Sequence, residues 1–338
     1  MADTVLIVGQ DSGWNLEASY GRAFKKQGWK VHFWAPVPSL HEHARGAKLG
    51  KLFSSFVNVE PWLRKANLSL LRLAQDLRPD FILVIATEGT RAGTLAQIKV
   101  ILPKSPLFCL FPDGPHNLNV ERISCLPLFD LIATSSPAWV KPFQTLGGRE
   151  VRYLPFAADN DLHQPAPVMP SHDVGFIGNW RLEREEVLEQ LVDLDLWLWG
   201  ERWWKDRTRP GSALRARWKG KRATGEEFAK ACASSRILLN LLDTPTWPGP
   251  NMRSFEQPAC RAFSLATRTQ AILEMFEEGE NIECFDTIGE ARDKISFYLK
   301  NESARQRIAE SSYRFMLHGN TYADRAKQLL VWAGQVRL

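Results

Sequence analysis

Two short apolar runs, each ending at a glycine, set the frame of this chain. One is Thr4, Val5, Leu6, Ile7 and Val8 before Gly9; the other is Val174, Gly175, Phe176 and Ile177 before Gly178. Each is followed by a polar loop, a helical stretch and another apolar run. A strand–loop–helix–strand order builds parallel sheets, because parallel neighbours need a long crossover between them. The pattern opens twice, so two sheets in tandem are expected. The chain has 338 residues, which suits about two domains at roughly 150 residues each.

In the first half, apolar runs predict strands at 4–8, 30–34, 81–86, 107–111, 128–134 and 150–154. Helical spacing covers 16–27, closed by Gly28, and 60–77, stopped by Arg78 and Pro79. Residues 156–173 carry Pro165, Pro167 and Pro170 without apolar periodicity. In the second half, strands are expected at 173–179, 196–199, 216–219, 236–241 and 262–266. Helices are expected over 183–193, 225–233, 252–260, 288–299, 302–317 and 322–336. The organisation expected is a first domain over 1–158, a linker over 159–172, a second domain over 173–319 and a helical tail over 320–338. The class is α/β, with two Rossmann-like, doubly wound domains facing a cleft. In such sheets ligands bind beyond the carboxyl ends of the strands.

Composition narrows the function classes. Apolar residues make up 44% and charged residues 24%, enough for two cores and unlike a disordered chain. No apolar run approaches about 18 residues. The N-terminus lacks a basic segment and a cleavage site, so the cytoplasm is the expected location. Five cysteines (Cys109, Cys125, Cys232, Cys260 and Cys284) include no C-x-x-C pair and read as reduced thiols. Seven histidines show no H-E-x-x-H spacing, so no metal site is expected. Net charge is +5, yet between Arg202 and Arg222 lie nine basic residues and one acid, Asp206. Trp203 and Trp204 interleave with Arg202, Lys205, Arg207 and Arg209. Such a stretch is a solvated face, or it meets an anionic partner, nucleic acid or a membrane surface.

The chemistry concentrates at strand-end loops. Asn251, Met252, Arg253 and Ser254 lead into a helix whose first N–H groups and positive dipole end suit a phosphate. Arg253 would add a bidentate contact. Glu256 would reach ribose hydroxyls. The alternative is purely local: Asn251 caps the helix, Glu256 completes a capping box and Arg253 is solvated. Gly178, Asn179, Arg181 and Arg184 follow the first strand of the second half. Gly200, Lys219, Gly220 and Asn240 stand at neighbouring strand ends, with Lys219 and Gly220 beside a nucleobase slot. In the first half, Asp113, His116, Asp11 and Glu88 are general-base candidates. Each is equally a turn former or helix cap.

The stretch Asn251-x-Arg253-x-Phe255-Glu256-x-x-Ala259-Cys260 resembles the N-x-R-x-F-E-x-x-A-C-G signature of CgeB-like glycosyltransferases, a group with the GT-B fold. Other stretches agree: Asp173 to Gly178, Leu198-Trp199-Gly200 with Trp203, Leu239-Asn240, Phe276-Glu277, and Asn320-Thr321-Tyr322 with Arg325. Phe111-Pro112-Asp113 resembles the family's D-D-P loop, and Tyr153 to Asp159 its interdomain hinge. The resemblance covers nearly the whole chain and is densest after Asp173. Three positions depart. Arg261 replaces the glycine that ends the signature. Pro248 stands where related retaining enzymes often carry a glutamate. Gly114 replaces the second aspartate of D-D-P.

The resemblance implies a GT-B fold whose last helix crosses back to the first domain. It implies metal-independent sugar transfer from a nucleotide-diphosphate sugar, the co-substrate, to a protein, polysaccharide or other acceptor, with no further cofactor. Two rivals stand beside it. One is a non-catalytic scaffold of the same fold, favoured by Arg261 and Pro248. The other is a glycosyltransferase whose acceptor is nucleic acid, held by the basic stretch.

Overall fold

A computed structural model describes residues 2–43, 59–87 and 89–336. The chain divides into two compact units. Unit 1 comprises Met1–Pro155 and Tyr322–Leu338; unit 2 comprises Phe156–Thr321. The stretch 159–172, expected as a linker, therefore lies inside unit 2. Among the described residues, no helix is long and apolar enough to cross a membrane.

Unit 1 holds a six-stranded parallel sheet built from β1 (Thr4–Val8), β2 (Lys30–Trp34), β3 (Phe81–Ile85), β4 (Leu107–Phe111), β5 (Leu131–Thr134) and β6 (Val151–Tyr153). The order is β2-β1-β3-β4-β5-β6. β3 and β4 are buried along their whole length, as continuous apolar runs must be when helices cover both faces. The helix Leu16–Lys26 starts where the Asn15 side chain accepts the Ala18 N–H, and Gly28 follows its end at φ 84°. The helix Tyr322–Val336 packs on it, with the Tyr20 and Tyr322 rings 5.1 Å apart and edge-on. Arg325 Nε donates to Pro155 O at 3.0 Å. The last helix thus belongs to unit 1.

Unit 2 holds a five-stranded parallel sheet built from β7 (His172–Ile177), β8 (Leu196–Trp199), β9 (Ser235–Asn240), β10 (Ser264–Thr267) and β11 (Glu283–Phe285). The order is β11-β10-β9-β7-β8. The expected strand over 216–219 is absent: Leu214–Arg217 is a helical turn, and Trp218 alone bridges Leu198. The cause is local. Arg215 folds back onto Thr208 O, and Trp218 Nε1 donates to Gly200 O at 3.0 Å. β11 was not expected from the sequence. The chain enters and leaves unit 2 at adjacent points, where Ala158 bridges Thr321 and donates to Asn320 O at 2.9 Å.

Candidate functional site

The strand order of unit 2 reverses between β7 and β9, since chain crossovers run outward to β8 on one side and to β10 on the other. That reversal opens a crevice at the carboxyl ends of the two strands, the usual ligand position in open α/β sheets. Gly178, Asn179, Arg181 and Arg184 follow β7; Asn240 ends β9, and Asn251 to Glu256 follow it.

Arg184 joins the two strand ends. Its Nη1 donates to Asn179 O at 3.1 Å, and its Nε and Nη2 to Leu241 O at 3.4 and 3.2 Å. Asp243 Oδ2 takes Arg184 at 3.2 Å and Arg181 at 2.7 Å. Burial lowers the Arg184 guanidinium from its usual range while Asp243 opposes the shift. Arg184 is therefore a brace between two strand ends rather than an open phosphate ligand. Arg181 is the more exposed of the pair, at 44%.

Arg253 opens the helix Arg253–Ala259. Its Nε donates to Ile177 O at 3.0 Å, which ties this helix to the end of β7. Its Nη1 bonds Glu256 Oε2, and its guanidinium lies 4.7 Å from the Phe228 ring centre. Nη2 makes no bond among the described residues. Burial lowers this guanidinium to about 10, so it keeps its charge at neutral pH. Glu256 is buried, and its other oxygen, Oε1, faces His163 Nε2 at 3.6 Å. Asn251 Oδ1 accepts the Ser254 N–H at 3.1 Å. The capping alternative thus holds for Asn251, and the Ser254 N–H is not open to a phosphate. Asn240 Nδ2 donates to Ser254 Oγ at 2.9 Å, while its buried Oδ1 makes no bond among the described residues. Met252 precedes Arg253 and is half-buried.

Gly200 is required by close packing. A Cβ there would lie closer than 3.0 Å to both Gly178 O and Trp204 Nε1, which are themselves hydrogen-bonded at 2.8 Å. Asn179 Oδ1 accepts the Glu201 N–H at 3.4 Å, a second tie between these strand ends. Lys219 points elsewhere. Its Nζ lies 3.6 Å from the Trp197 ring centre, and its charge acts on His172 at the start of β7. The structure does not bring it to the strand ends with Arg253. Gly220 follows it in a left-handed turn, φ 79°. Three of the nine basic residues of the stretch pair with acids outside it: Arg209 with Glu186, Lys221 with Glu227 and Arg222 with Glu201. Arg202 pairs with Asp206, and Arg207 covers the exposed Trp203 at 4.2 Å.

In unit 1, Asp11 follows β1 and Asp113 and His116 follow β4. β3 lies between, which puts the strands about 10 Å apart at ~4.8 Å per strand spacing. Asp11 Oδ1 accepts the Gly13 N–H at 2.9 Å, and Asp113 Oδ2 accepts Asn117 Nδ2 at 3.0 Å. Both carboxylates thus make local turn bonds. His116 is exposed, its ring 6.2 Å from Trp139. Glu88 lies outside the described residues.

Two of the three departures sit at sterically constrained positions, and nothing in the structure explains Pro248. Arg261 is the first residue past the C-cap Cys260, with φ 59°. Its N–H donates to Pro258 O at 2.8 Å and that of Ala262 to Gln257 O at 3.2 Å, the paired bonds of a Schellman end. The signature's glycine answers to this left-handed position. At Gly114 a Cβ would lie 2.7 Å from the His116 ring and 2.9 Å from Trp139. Pro248 O accepts the Thr269 hydroxyl at 2.8 Å. His163 is the site residue that sequence reasoning missed; its only local signal is the Asp159–His163 spacing just after the hinge-like segment.

Comparison with known proteins follows the same lines. Residues 183–331 match the sequence profile of the glycosyl transferase-like family. No curated protein matches the chain. Among solved structures, Anabaena HepE in complex with UDP-glucose superposes with a TM-score of 0.67 at 14% identity, over 98% of this chain and 99% of that one. HepE in complex with UDP gives 0.65 at 14%, over 98% and 100%. Sucrose-phosphate synthase from Thermosynechococcus elongatus gives 0.68 at 11%, over 99% of both chains. The chain therefore has the GT-B fold, and its residues 183–331 carry the glycosyl transferase-like family pattern.

Proposed function

We propose that this protein is a glycosyltransferase that binds a nucleotide-diphosphate sugar at the β7–β9 crevice of unit 2 and transfers its sugar to an acceptor hydroxyl. The observation that carries the reading is Arg253, anchored through Nε with Nη2 left open at the strand ends and Glu256 beside it. Transfer breaks the bond between the anomeric carbon and the diphosphate oxygen. The leaving diphosphate gathers negative charge, and a preorganised guanidinium stabilises it. Glu256 receives the ribose in this reading, with Gly178, Gly200 and Asn240 at the neighbouring strand ends. Arg181 is the second cation for the diphosphate. Asp113 and His116 remain the first candidates for a base that takes the acceptor proton. The HepE structures hold UDP and UDP-glucose, which makes UDP the first nucleotide to try. The Asn251–Cys260 stretch supports the CgeB-like branch of the fold.

The scaffold reading loses one support, because Arg261 serves a helix end rather than a lost sugar contact. In the nucleic-acid reading, three of the nine basic residues are already paired with acids outside the stretch. Thermal unfolding with UDP, GDP, ADP, CDP and dTDP tests the proposal. A ligand at about a hundred times its dissociation constant stabilises by roughly 2.7 kcal/mol. The expected result is a shift with one nucleotide that Arg253→Ala abolishes. No shift with any of them overturns the reading.

A further inference from the structure

Glu256 is buried with a different partner on each oxygen. Arg253 Nη1 bonds Oε2, and His163 Nε2 faces Oε1 at 3.6 Å. The turn that carries His163 fixes which nitrogen points where. Asp159 O accepts the N–H groups of Leu162 and His163 at 3.0 and 2.7 Å. The Asp159 N–H in turn donates to His163 Nδ1 at 3.1 Å. Nδ1 is therefore an acceptor, and the neutral ring carries its proton on Nε2, aimed at Glu256. Phe228 packs edge-on against the ring at 5.4 Å.

A diphosphate that takes Nη1 and Nη2 of Arg253 together competes with Glu256 for Nη1, while Nε stays on Ile177 O. A buried carboxylate stripped of its partner is among the costliest single losses in a folded protein. We infer that His163 is a positioning residue for donor binding: it holds Glu256 Oε1 when Arg253 Nη1 passes to the diphosphate, leaving Oε2 open to a ribose hydroxyl. The 3.6 Å gap is a few tenths beyond a hydrogen bond, so a small movement closes it as Nη1 is given up. The exchange is one of partners only: no covalent bond changes, and every buried oxygen keeps a donor. The inference rests on the nucleotide-sugar reading above.

Calorimetric titration of the full chain tests it, with UDP and 2′,3′-dideoxy-UDP as the pair, or the same pair of whichever diphosphate binds. A hydrogen bond to a charged group is worth about tenfold in affinity or more, so the wild type prefers UDP by at least about tenfold. His163→Phe keeps the ring against Phe228 and removes both nitrogens. His163→Asn offers an acceptor to the Asp159 N–H and removes the donor toward Glu256. Both are expected to lose the preference, to within about twofold on the same scale. His163→Gln, which returns an N–H toward Glu256, recovers most of it. Variants that bind UDP more weakly but keep the full preference overturn the inference and make His163 merely structural. Wild type that binds both ligands equally overturns it as well. Wild type that binds no diphosphate overturns the functional reading itself, a distinct outcome.

Discussion

Gly200→Ala is the sharpest test of the strand-end geometry. The new methyl group would press on Gly178 O and Trp204 Nε1, both closer than 3.0 Å. Neither can give way cheaply. One is backbone at the end of β7, and the other belongs to a fully buried tryptophan. Overpacking of this kind costs about 1–3 kcal/mol. Bending or breaking the 2.8 Å bond between Trp204 and Gly178 adds about 1 kcal/mol. The sum is about 2–4 kcal/mol. At about 2–4 °C per kcal/mol for a unit of this size, Tm falls by roughly 4–16 °C. Gly334→Ala is the control. Gly334 lies in the helix Tyr322–Val336, and a Cβ there meets nothing within 4 Å. It is expected to stabilise by about 0.5–1 kcal/mol, as Ala replaces Gly inside a helix. Thermal unfolding followed by circular dichroism reads both. A drop below about 3 °C for Gly200→Ala would refute the close approach of β7 and β8, by the same conversion.

Two further outcomes are expected. Bonds from Arg268 are the largest cause holding the Glu278 and Glu290 carboxyls down to about 2, below an unfolded value of about 4.3, so their stabilisation is present above that value and is lost as pH falls toward 2. Arg268→Ala therefore lowers Tm at pH 7, and its gap to wild type narrows between pH 5 and pH 2.5; a constant gap would refute the linkage. Arg261→Gly relieves a left-handed residue worth about 1–2 kcal/mol, less a surface pair with Glu310 worth about 0–1 kcal/mol and the extra chain freedom of glycine, about 0.4–1 kcal/mol. Stability is expected to stay within about 1.6 kcal/mol of wild type on that balance, and nucleotide affinity to stay unchanged; a loss of affinity would return Arg261 to the donor site.

Four of the six strands of unit 1 were legible as apolar runs bounded by glycine, proline or polar residues, while β2 and β6 alternate apolar with polar residues. Four of the five in unit 2 were legible for the same reason. β11 was not: it is three residues long, and one is Glu283. That carboxylate is buried because Lys294 reaches it at 2.6 Å and Tyr298 also bonds it. No local pattern announces a partner 11 and 15 residues away. Residues 216–219 show the reverse failure: Ala216 and Arg217 end a helical turn, and Trp218 alone bridges Leu198. The loop entering the Arg253 helix was legible from its residue types. What those residues do was not. Arg184 and Arg253 read alike as basic residues after a strand, yet one is spent on backbone carbonyls and the other keeps an open nitrogen. His163 was invisible because its partner lies 93 residues on.

The bridge between Ala158 and Thr321 has a consequence for how the chain is made. Unit 2 is an insertion whose two ends meet, so nothing in its sheet waits for sequence outside it. Unit 1 is in the opposite position. Tyr20, fully buried in the finished protein, leans on Tyr322, and about 170 residues of unit 2 separate that tyrosine from Pro155. At about 5–20 residues per second, a ribosome needs ~10–30 s to cross that gap. During that interval the first 155 residues carry an uncovered face on the helix Leu16–Lys26, while unit 2 is free to close on itself. The second unit in sequence is thus the first to be completed, and the helix Tyr322–Val336 seals the half of the molecule that was synthesised first.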